Sequence, residues 1–213
     1  GFSIGFINAR DKHEQPLYNV QLLADVDKEA AYTFKRNFPE IPYLVEDLRN
    51  VKSSAIKNII KEKEIDIVIG GPPCQGFSSA GKRLFDDERN QLLRNFVEIV
   101  VALKPKIAVM ENVPTLLGSQ HQEYAEELIE WLDKKGFDTQ ARILKSEDYG
   151  VPQLRRRAFF AAFRKDLKIK AQAYFPPTFD NSDDNEMPTV VSVEDACGDL
   201  PPLKSGGGTD PVL

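Results

Sequence analysis

The sequence has few of the residues that build disulfide frameworks and metal sites. Its 213 residues include only two cysteines, Cys74 and Cys197, and two histidines. Two thiols do not make a disulfide framework, and a structural zinc site draws on several cysteine or histidine ligands. We therefore expect neither a disulfide scaffold nor a bound metal.

Long apolar runs are lacking too. No stretch approaches the ~18–20 apolar residues of a membrane-spanning helix, and the first residues do not resemble a secretion signal. These features predict a cytoplasmic protein with no membrane partner. The length and the hydrophobic fraction of 41% are sufficient for one domain with a substantial core.

The excess of basic residues that marks many nucleic-acid-binding proteins is also missing. The chain has 28 lysines and arginines against 33 aspartates and glutamates, a net charge of −5. Since the local field of a cleft matters more than the total charge, this balance does not exclude nucleic acid as a partner. It indicates that much of any basic, sequence-reading surface lies outside this chain.

What the sequence does contain is a strand-like run that leads through glycine and proline to a cysteine. Residues 65–69 are apolar and mostly β-branched, which is typical of the middle of a parallel sheet. The turn at residues 70–73 then presents Cys74 outside the carboxyl end of a strand, where open α/β sheets bind ligands. Taken alone, this cysteine could equally be a small apolar residue packed in a turn.

Two later stretches favour chemistry over packing. Residues 109–113 end a second predicted strand and deliver the carboxylate of Glu111, and Arg155 and Arg157 alternate within residues 153–157. A thiol, an acid and alternating arginines suit attack on an electron-poor heteroaromatic ring. The thiolate adds, the acid protonates a ring nitrogen, and arginine binds carbonyl or phosphate oxygens. The arginine run could alternatively be a solvated strand edge.

Three segments carry a resemblance to a known family. Residues 72–78 (Pro-Pro-Cys-Gln-Gly-Phe-Ser), residues 111–113 (Glu-Asn-Val) and the pattern Gln153-x-Arg155-x-Arg157 resemble, in order and spacing, three signature blocks of the C5-cytosine DNA methyltransferases. The similarity covers nearly the whole chain. It implies an α/β fold with a doubly wound, mostly parallel sheet, the Rossmann-like fold of S-adenosylmethionine-dependent methyltransferases, lacking the first strand and C-terminal parts.

The resemblance also implies the reaction and its catalytic residues. A methyl group would pass from S-adenosylmethionine to C5 of a flipped-out cytosine in double-stranded DNA, through a covalent adduct of Cys74, with no metal. Glu111 would hold ring N3 and the amino group, and Arg155 and Arg157 would contact the cytosine O2 and a closing loop at residues 78–90, in an order left open. Supporting or DNA-contacting roles fall to Gln75, Ser78, Arg83, Asn112 and Gln153.

The cofactor residues are implied in the same way. Asp25 follows a predicted strand, where a carboxylate can accept from both hydroxyls of a ribose, although the family usually has glutamate there. Asp25 could alternatively cap the next helix, a role that Asp27 could also fill. Asp47 matches the acidic position that accepts from the adenine amino group. The other cofactor contacts implied are Gly1, Phe2, Val26, Leu48, Pro72, Asn90 and Leu92.

The predicted organisation is a catalytic core at residues 1–164 and a linker at residues 165–213 that leads into a missing target-recognition domain. Because the opening resembles only the end of the family's cofactor loop, we expect a fragment cut at both ends. The strands are predicted at 20–24, 43–45, 65–69, 107–110, 137–144 and 153–163. The helices are predicted at 3–9, 28–38, 51–64, 90–103, 118–135 and 192–197.

The resemblance further implies a monomer that acts on double-stranded DNA at the bacterial nucleoid, within a restriction-modification system. Two alternatives stay open. One is methylation of cytosine C5 in transfer RNA. The other is a catalytically silent domain that associates with DNA or binds a protein partner.

Overall fold

The computed structural model describes residues 2–60, 64–73, 90–119, 121–171 and 191–201. Predictions for Gly1, Cys74, Gln75, Ser78 and Arg83 therefore lie outside the described residues. Within the described ranges the chain forms two compact units. One comprises residues 2–142 and 158–171, and the other comprises residues 143–157 and 191–201.

Helices and strands alternate along most of the described chain. The helices are α1 (Phe2–Asn8), α2 (Lys28–Asn37), α3 (Ser53–Ile59), α4 (Gln91–Leu103), α5 (Gln122–Lys134) and α6 (Val193–Cys197). The strands are β1 (Leu23–Asp25), β2 (Tyr43–Val45), β3 (Ile67–Gly70), β4 (Ile107–Asn112), β5 (Phe137–Lys145) and β6 (Arg156–Arg164). Short 3-10 turns lie at Pro114–Leu117, Ser146–Tyr149 and Lys165–Leu167.

The strands pair mostly in parallel. β1 pairs with β2 and β3 pairs with β4 in parallel, whereas β4 pairs with β6 antiparallel. The larger sheet has the order β3-β4-β6-β5, and β1 and β2 form a separate sheet of two strands. Parallel neighbours joined through helices are the pattern of a doubly wound α/β fold, so the predicted fold class is confirmed.

The main core lies between α4, α5 and one face of the larger sheet. Alternate residues of β4 point into it, so Ala108 and Met110 are buried while Val109 faces the other side. Helices α4 and α5 supply apolar stripes at helical spacing. The buried members are Leu93, Val97, Val100, Ala108, Met110, Leu116, Ala125, Leu128, Leu132, Phe137, Ala158, Phe160 and Ala162.

A cleft of about 530 Å³ separates the two sheets. Leu23 and Ala24 of β1 line it on one side, and residues 65–69 line it on the other. In the described part of the chain, β1 pairs only with β2 and β3 only with β4 along their strand edges. Among the described residues, no strand therefore joins the two sheets across the cleft.

Several predicted boundaries need correction. The strand expected at 20–24 begins only at Leu23, and the helix expected at 51–64 is shorter, at Ser53–Ile59. The helix expected at 118–135 begins at Gln122, because His121 N donates to Gly118 O at 2.9 Å in a turn that precedes it. β4 extends past Met110 through Asn112, because its antiparallel pairing with β6 continues to that residue.

The strand predicted from residue 153 is wrong at its start. β6 begins at Arg156, because the preceding residues form tight turns in which Gln153 N donates to Val151 O at 2.7 Å and Arg155 N donates to Gln153 O at 2.9 Å. The strand alternation that placed Arg155 and Arg157 on one face therefore does not extend to Arg155.

The second unit contains the predicted short helix. α6 begins with a capping box, in which Ser192 Oγ accepts from Asp195 N at 3.1 Å and Asp195 Oδ2 accepts from Ser192 N at 2.8 Å. Cys197, in its last turn, is exposed. Across both units as described, no helix combines the length and the apolar character needed to cross a membrane.

Candidate active site

The carboxyl ends of β3 and β4 bring Glu111 beside the glycine–proline turn. The parallel register pairs Gly70 with Met110, so the next residues, Gly71 and Glu111, continue side by side. A Cβ atom placed on Gly71 would lie 3.3 Å from Glu111 Oε2. The glycine therefore lets the carboxyl group lie directly against the backbone that leads to Cys74.

Asn112 ties the two strand ends together. Its side-chain Nδ2 donates to Pro72 O at 2.9 Å, and its Oδ1 accepts from Val113 N at 2.9 Å. The side chain is 5% exposed, so both bonds lie in a largely dry environment. The amide fixes the direction of the turn relative to Glu111, and the supporting role of Asn112 in catalysis stays a prediction.

Gly70 shows how closely α4 packs on β3. A Cβ atom on Gly70 would come within 2.5 Å of the ring of Phe96. A Cβ atom cannot lie this close to a ring carbon, so a residue larger than glycine at position 70 would force Phe96 or α4 to move. The turn that leads to the predicted nucleophile thus begins at the end of β3, which packs against α4.

The described residues reach Pro73, and Cys74 lies just beyond them. The positions of Cys74, Gln75, Ser78 and Arg83 therefore stay predictions. The described residues show the Glu111 carboxylate beside Gly71, and Gly71 lies three residues before Cys74 in the sequence.

The predicted ribose and adenine positions fall at the carboxyl ends of β1 and β2. Asp25 is the last residue of β1, it is exposed, and its Oδ1 accepts from Asp27 N at 3.1 Å. Asp27 is the cap of α2, since its Oδ1 accepts from Glu29 N and Ala30 N at 2.8 and 3.1 Å. The capping role therefore belongs to Asp27, and the carboxylate of Asp25 is left at the strand end beside Val26, which is 64% exposed.

Asp47 lies two residues beyond β2 and is held by Arg49. Arg49 N donates to Asp47 Oδ1 at 2.9 Å, and Arg49 Nε lies 3.0 and 2.9 Å from the two carboxylate oxygens. These hydrogen bonds lower the pKa of Asp47, the one from the Arg49 side chain most strongly. The carboxylates of Asp25 and Asp47, beside apolar Val26 and Leu48, fit an adenosine. The carboxylates accept from hydroxyl and amino groups, and the apolar side chains offer contact for the base.

The other predicted cofactor residues are spread over three elements. Asn90 is 1% exposed at the start of α4, whereas Leu92 and Pro72 are half-buried. Phe2, on α1, packs edge-on against Phe159 with ring centroids 6.0 Å apart. Phe159 pairs with Glu111 in the sheet register, so the start of α1 lies near the strand end that carries the carboxylate.

The second unit carries the predicted arginines. Arg155 is exposed and Arg157 is half-buried, with its Nη1 donating to Arg156 O at 2.7 Å. Gln153 is exposed in the turn before them, and its predicted support of the Cys74 turn stays a prediction.

Sequence reasoning missed Arg49, Asn95 and Phe96. Asn95, on α4, donates from Nδ2 to Leu48 O at 2.7 Å, and Phe96 packs on Gly70. Arg49 had a usable signal, because an arginine two residues after an aspartate can close onto it. The described residues hold no group of His, Cys, Asp or Glu side chains placed to bind a metal ion.

Parallel strand pairs joined through helices, with carboxylates at the ligand-binding ends of the strands, place the chain in the Rossmann-like class of α/β proteins. Within that class, the chain belongs to the C-5 cytosine-specific DNA methylase family, whose model matches residues 1–205. The predicted family is thereby confirmed.

Named relatives and a solved structure agree with this assignment. The chain is 38% identical to the Type II methyltransferase M.XorII of Xanthomonas oryzae pv. oryzae, over 96% of this chain and 45% of the relative. It is 35% identical to M1.HphI of Haemophilus parahaemolyticus, over 97% and 51%. A solved E. coli prophage protein described as a DNA modification methyltransferase superposes with a TM-score of 0.67 at 31% identity, over 84% of this chain and 48% of that one. The chain thus spans about half the length of the relatives that it matches.

Proposed function

We propose that this chain is part of the catalytic core of an enzyme that methylates cytosine at C5 in double-stranded DNA. The observation that carries the proposal is the position of Glu111, whose carboxyl group lies against Gly71 while Asn112 bonds to Pro72 O. This puts an acid next to residues 71–73, which directly precede Cys74 in the sequence. Membership of the family supports the same reaction.

The chemistry assigns a separate task to each residue. The Cys74 thiolate forms a bond to C6 of the cytosine as N3 is protonated through Glu111, and the electron pair makes C5 nucleophilic. S-adenosylmethionine would supply the methyl group to C5 and leave as S-adenosylhomocysteine. Loss of the C5 proton to solvent, departure of the Cys74 thiolate from C6 and return of the N3 proton to Glu111 then restore the aromatic ring. The base must leave the duplex, because C5 and C6 are out of reach in the stack.

Binding tasks follow from the same arrangement. Asp25 and Val26 would hold the ribose and the adenine face, and Asp47 and Leu48 would hold the adenine edge. Phe2, Asn90, Leu92 and Pro72 complete the proposed cofactor contacts, while Arg155 and Arg157 contact the base and the closing loop.

We place the catalytic core at residues 1–164, with residues 165–213 leading toward a target-recognition domain. The Type II names of the relatives support a restriction-modification role.

The test compares the two cysteines. Cys74→Ser should abolish transfer of labelled methyl groups from S-adenosylmethionine to duplex DNA, and should abolish covalent trapping on DNA that contains 5-fluorocytosine. Cys197→Ser is the matched control, because Cys197 is exposed on α6 and its Sγ contacts only Val193 O among its described hydrogen-bond partners. Methyl transfer by Cys74→Ser at the wild-type rate would contradict the proposal.

Transfer RNA and a silent domain are the competing functions. Parallel assays on duplex DNA and on transfer RNA distinguish the first. Calorimetric titration with S-adenosylhomocysteine addresses the second, because a silent domain that has lost its adenosine contacts would not bind it.

A further inference from the structure

The carboxylate of Asp47 is almost fully engaged by a single neighbour. Arg49 directs its backbone N–H, its Nε–H and an Nη2–H at the two oxygens of Asp47. A carboxylate offers about four lone-pair positions, so these three donors leave capacity for about one more. The side chain of Asp47 is 23% exposed, which makes that remaining position accessible to a ligand.

The turn around this carboxylate is anchored from a second side. Asn95 of α4 donates to Leu48 O at 2.7 Å, and Asn50 N donates to Asp47 O at 2.8 Å. The backbone on both sides of Leu48 is thereby fixed, and the side-chain torsions of Asp47 are what remain to be set. A planar guanidinium that contacts both oxygens sets them, because its donors have a fixed fork geometry.

We propose that Arg49 is a positioning residue that makes the site select a purine with a 6-amino group, by orienting Asp47 as the acceptor for that group. This inference rests on the proposed function, in which Asp47 meets the adenine edge. Sites built to hydrogen-bond one ligand group discriminate strongly against ligands that lack it, provided that the acceptor is held in place. The hydrogen bonds that orient Asp47 also lower its pKa.

A plain surface ion pair would behave differently. Exposed ion pairs contribute little to stability or to binding. If Arg49 were only such a pair, its removal would change the affinities for all ligands of the site equally, or not at all. A positioning role changes the affinity for the amino-bearing ligand alone.

The experiment titrates two ligands into the protein by calorimetry. One is S-adenosylhomocysteine, and the other is the same molecule with unsubstituted purine in place of adenine. For wild type, the adenine ligand should bind more tightly. Arg49→Met should weaken the adenine ligand by about three- to tenfold, the value of one oriented hydrogen bond, and leave the purine analogue unchanged. Arg49→Lys should recover part of the preference, and Arg36→Met, which removes an exposed arginine from α2, should change neither affinity.

The outcomes separate this inference from the proposed function. If wild type prefers the adenine ligand and Arg49→Met keeps that preference in full, the role of Arg49 is overturned while the cofactor site stands. If wild type binds neither ligand, the proposed function and this inference fail together. Asp47→Ala should abolish the preference, and thermal unfolding of each variant shows that loss of binding is not loss of fold.

Discussion

The side chain of Asn112 donates to the carbonyl oxygen of Pro72 across 2.9 Å, and this bond joins two strand ends that are 40 residues apart in the chain. One strand end carries Glu111, and the other leads to Cys74. Catalysis by two groups depends on their mutual placement, and a small displacement can lower the rate by about a hundredfold. The bond therefore links the strand end that carries the predicted acid to the turn that precedes Cys74 in the sequence.

Replacing Asn112 with alanine should cost both stability and activity. The change leaves Pro72 O and Val113 N without their partner in a part-buried site, at about 1–3 kcal/mol of unfolding free energy. Urea unfolding measures the loss. Asn37→Ala is the control, because it removes a bond of the same kind, from Nδ2 to Thr33 O at 2.7 Å, on an exposed helix face. Equal costs for the two changes would show that the Asn112 bonds have no special importance.

The carboxyl group of Glu111 should respond to a single added methyl group on Gly71. Gly71→Ala places Cβ 3.3 Å from Oε2, so the carboxyl group must shift by a few tenths of an ångström. We expect methyl transfer to fall by about tenfold or more, with little change in the melting temperature. Gly5→Ala is the control, since nothing lies within 4 Å of the new Cβ and alanine favours the helix by about 0.5–1 kcal/mol. Unchanged turnover in Gly71→Ala would exclude a tight acid position.

The sequence predicted the order of elements because apolar periodicity and turn residues act locally. The alternation of parallel strands and helices, the end of α4 and the position of β2 all followed from such signals. The boundaries at Leu23 and Arg156 did not, because strand limits depend on partners that are distant in the chain. β6 begins only after the turn bonds of Gln153 N and Arg155 N, and its pairing with β4 begins two residues later, at Ala158.

In the candidate site, too, residues with a local sequence signal were predicted, and residues that act through distant partners were not. Motif spacing predicted roles for Glu111 and Asp47, because their residue types carry the chemistry. It could not identify Asn95 or Phe96, which act through a backbone carbonyl and a glycine that lie next to them only in the fold. Their residue types are ordinary for a helix surface and a helix core, so no local pattern distinguishes them.

The contact between Gly70 and Phe96 should appear as strong energetic coupling. In Gly70→Ala the new methyl group overlaps the ring, 2.5 Å away, and we expect a loss of about 1–3 kcal/mol. Phe96→Leu removes the overlapping atoms and should itself be destabilising, since the ring packs on the core. In the double variant the alanine should no longer be penalised, with a coupling free energy of about 0.5–3 kcal/mol. Additive losses in denaturant unfolding would mean that the two residues do not contact each other.

The neighbouring aspartates of the β1–α2 turn should separate into a binding residue and a structural residue. Asp27 caps α2 through two hydrogen bonds, so Asp27→Ala should lower the unfolding free energy by about 0.5–2 kcal/mol and leave the affinity for S-adenosylhomocysteine unchanged. Asp25→Asn keeps an oxygen for the bond from Asp27 N but loses the charge that suits two ribose hydroxyls. Its melting temperature should stay near wild type while the affinity falls by about tenfold, the size of one charge-assisted hydrogen bond.

Calorimetry and thermal unfolding on the same preparations of both variants make the comparison, and each aspartate serves as the control for the other. The reverse pattern, with binding lost in Asp27→Ala at unchanged stability, would show that Asp27 binds the ribose and that the assignment to Asp25 is wrong. Loss of stability without loss of affinity in Asp25→Asn would make Asp25 a second structural residue of the turn. We expect the two aspartates to differ because Asp25 ends a strand at the edge of the sheet where ligands bind. The Oδ1 of Asp27 instead accepts hydrogen bonds from the first turn of α2.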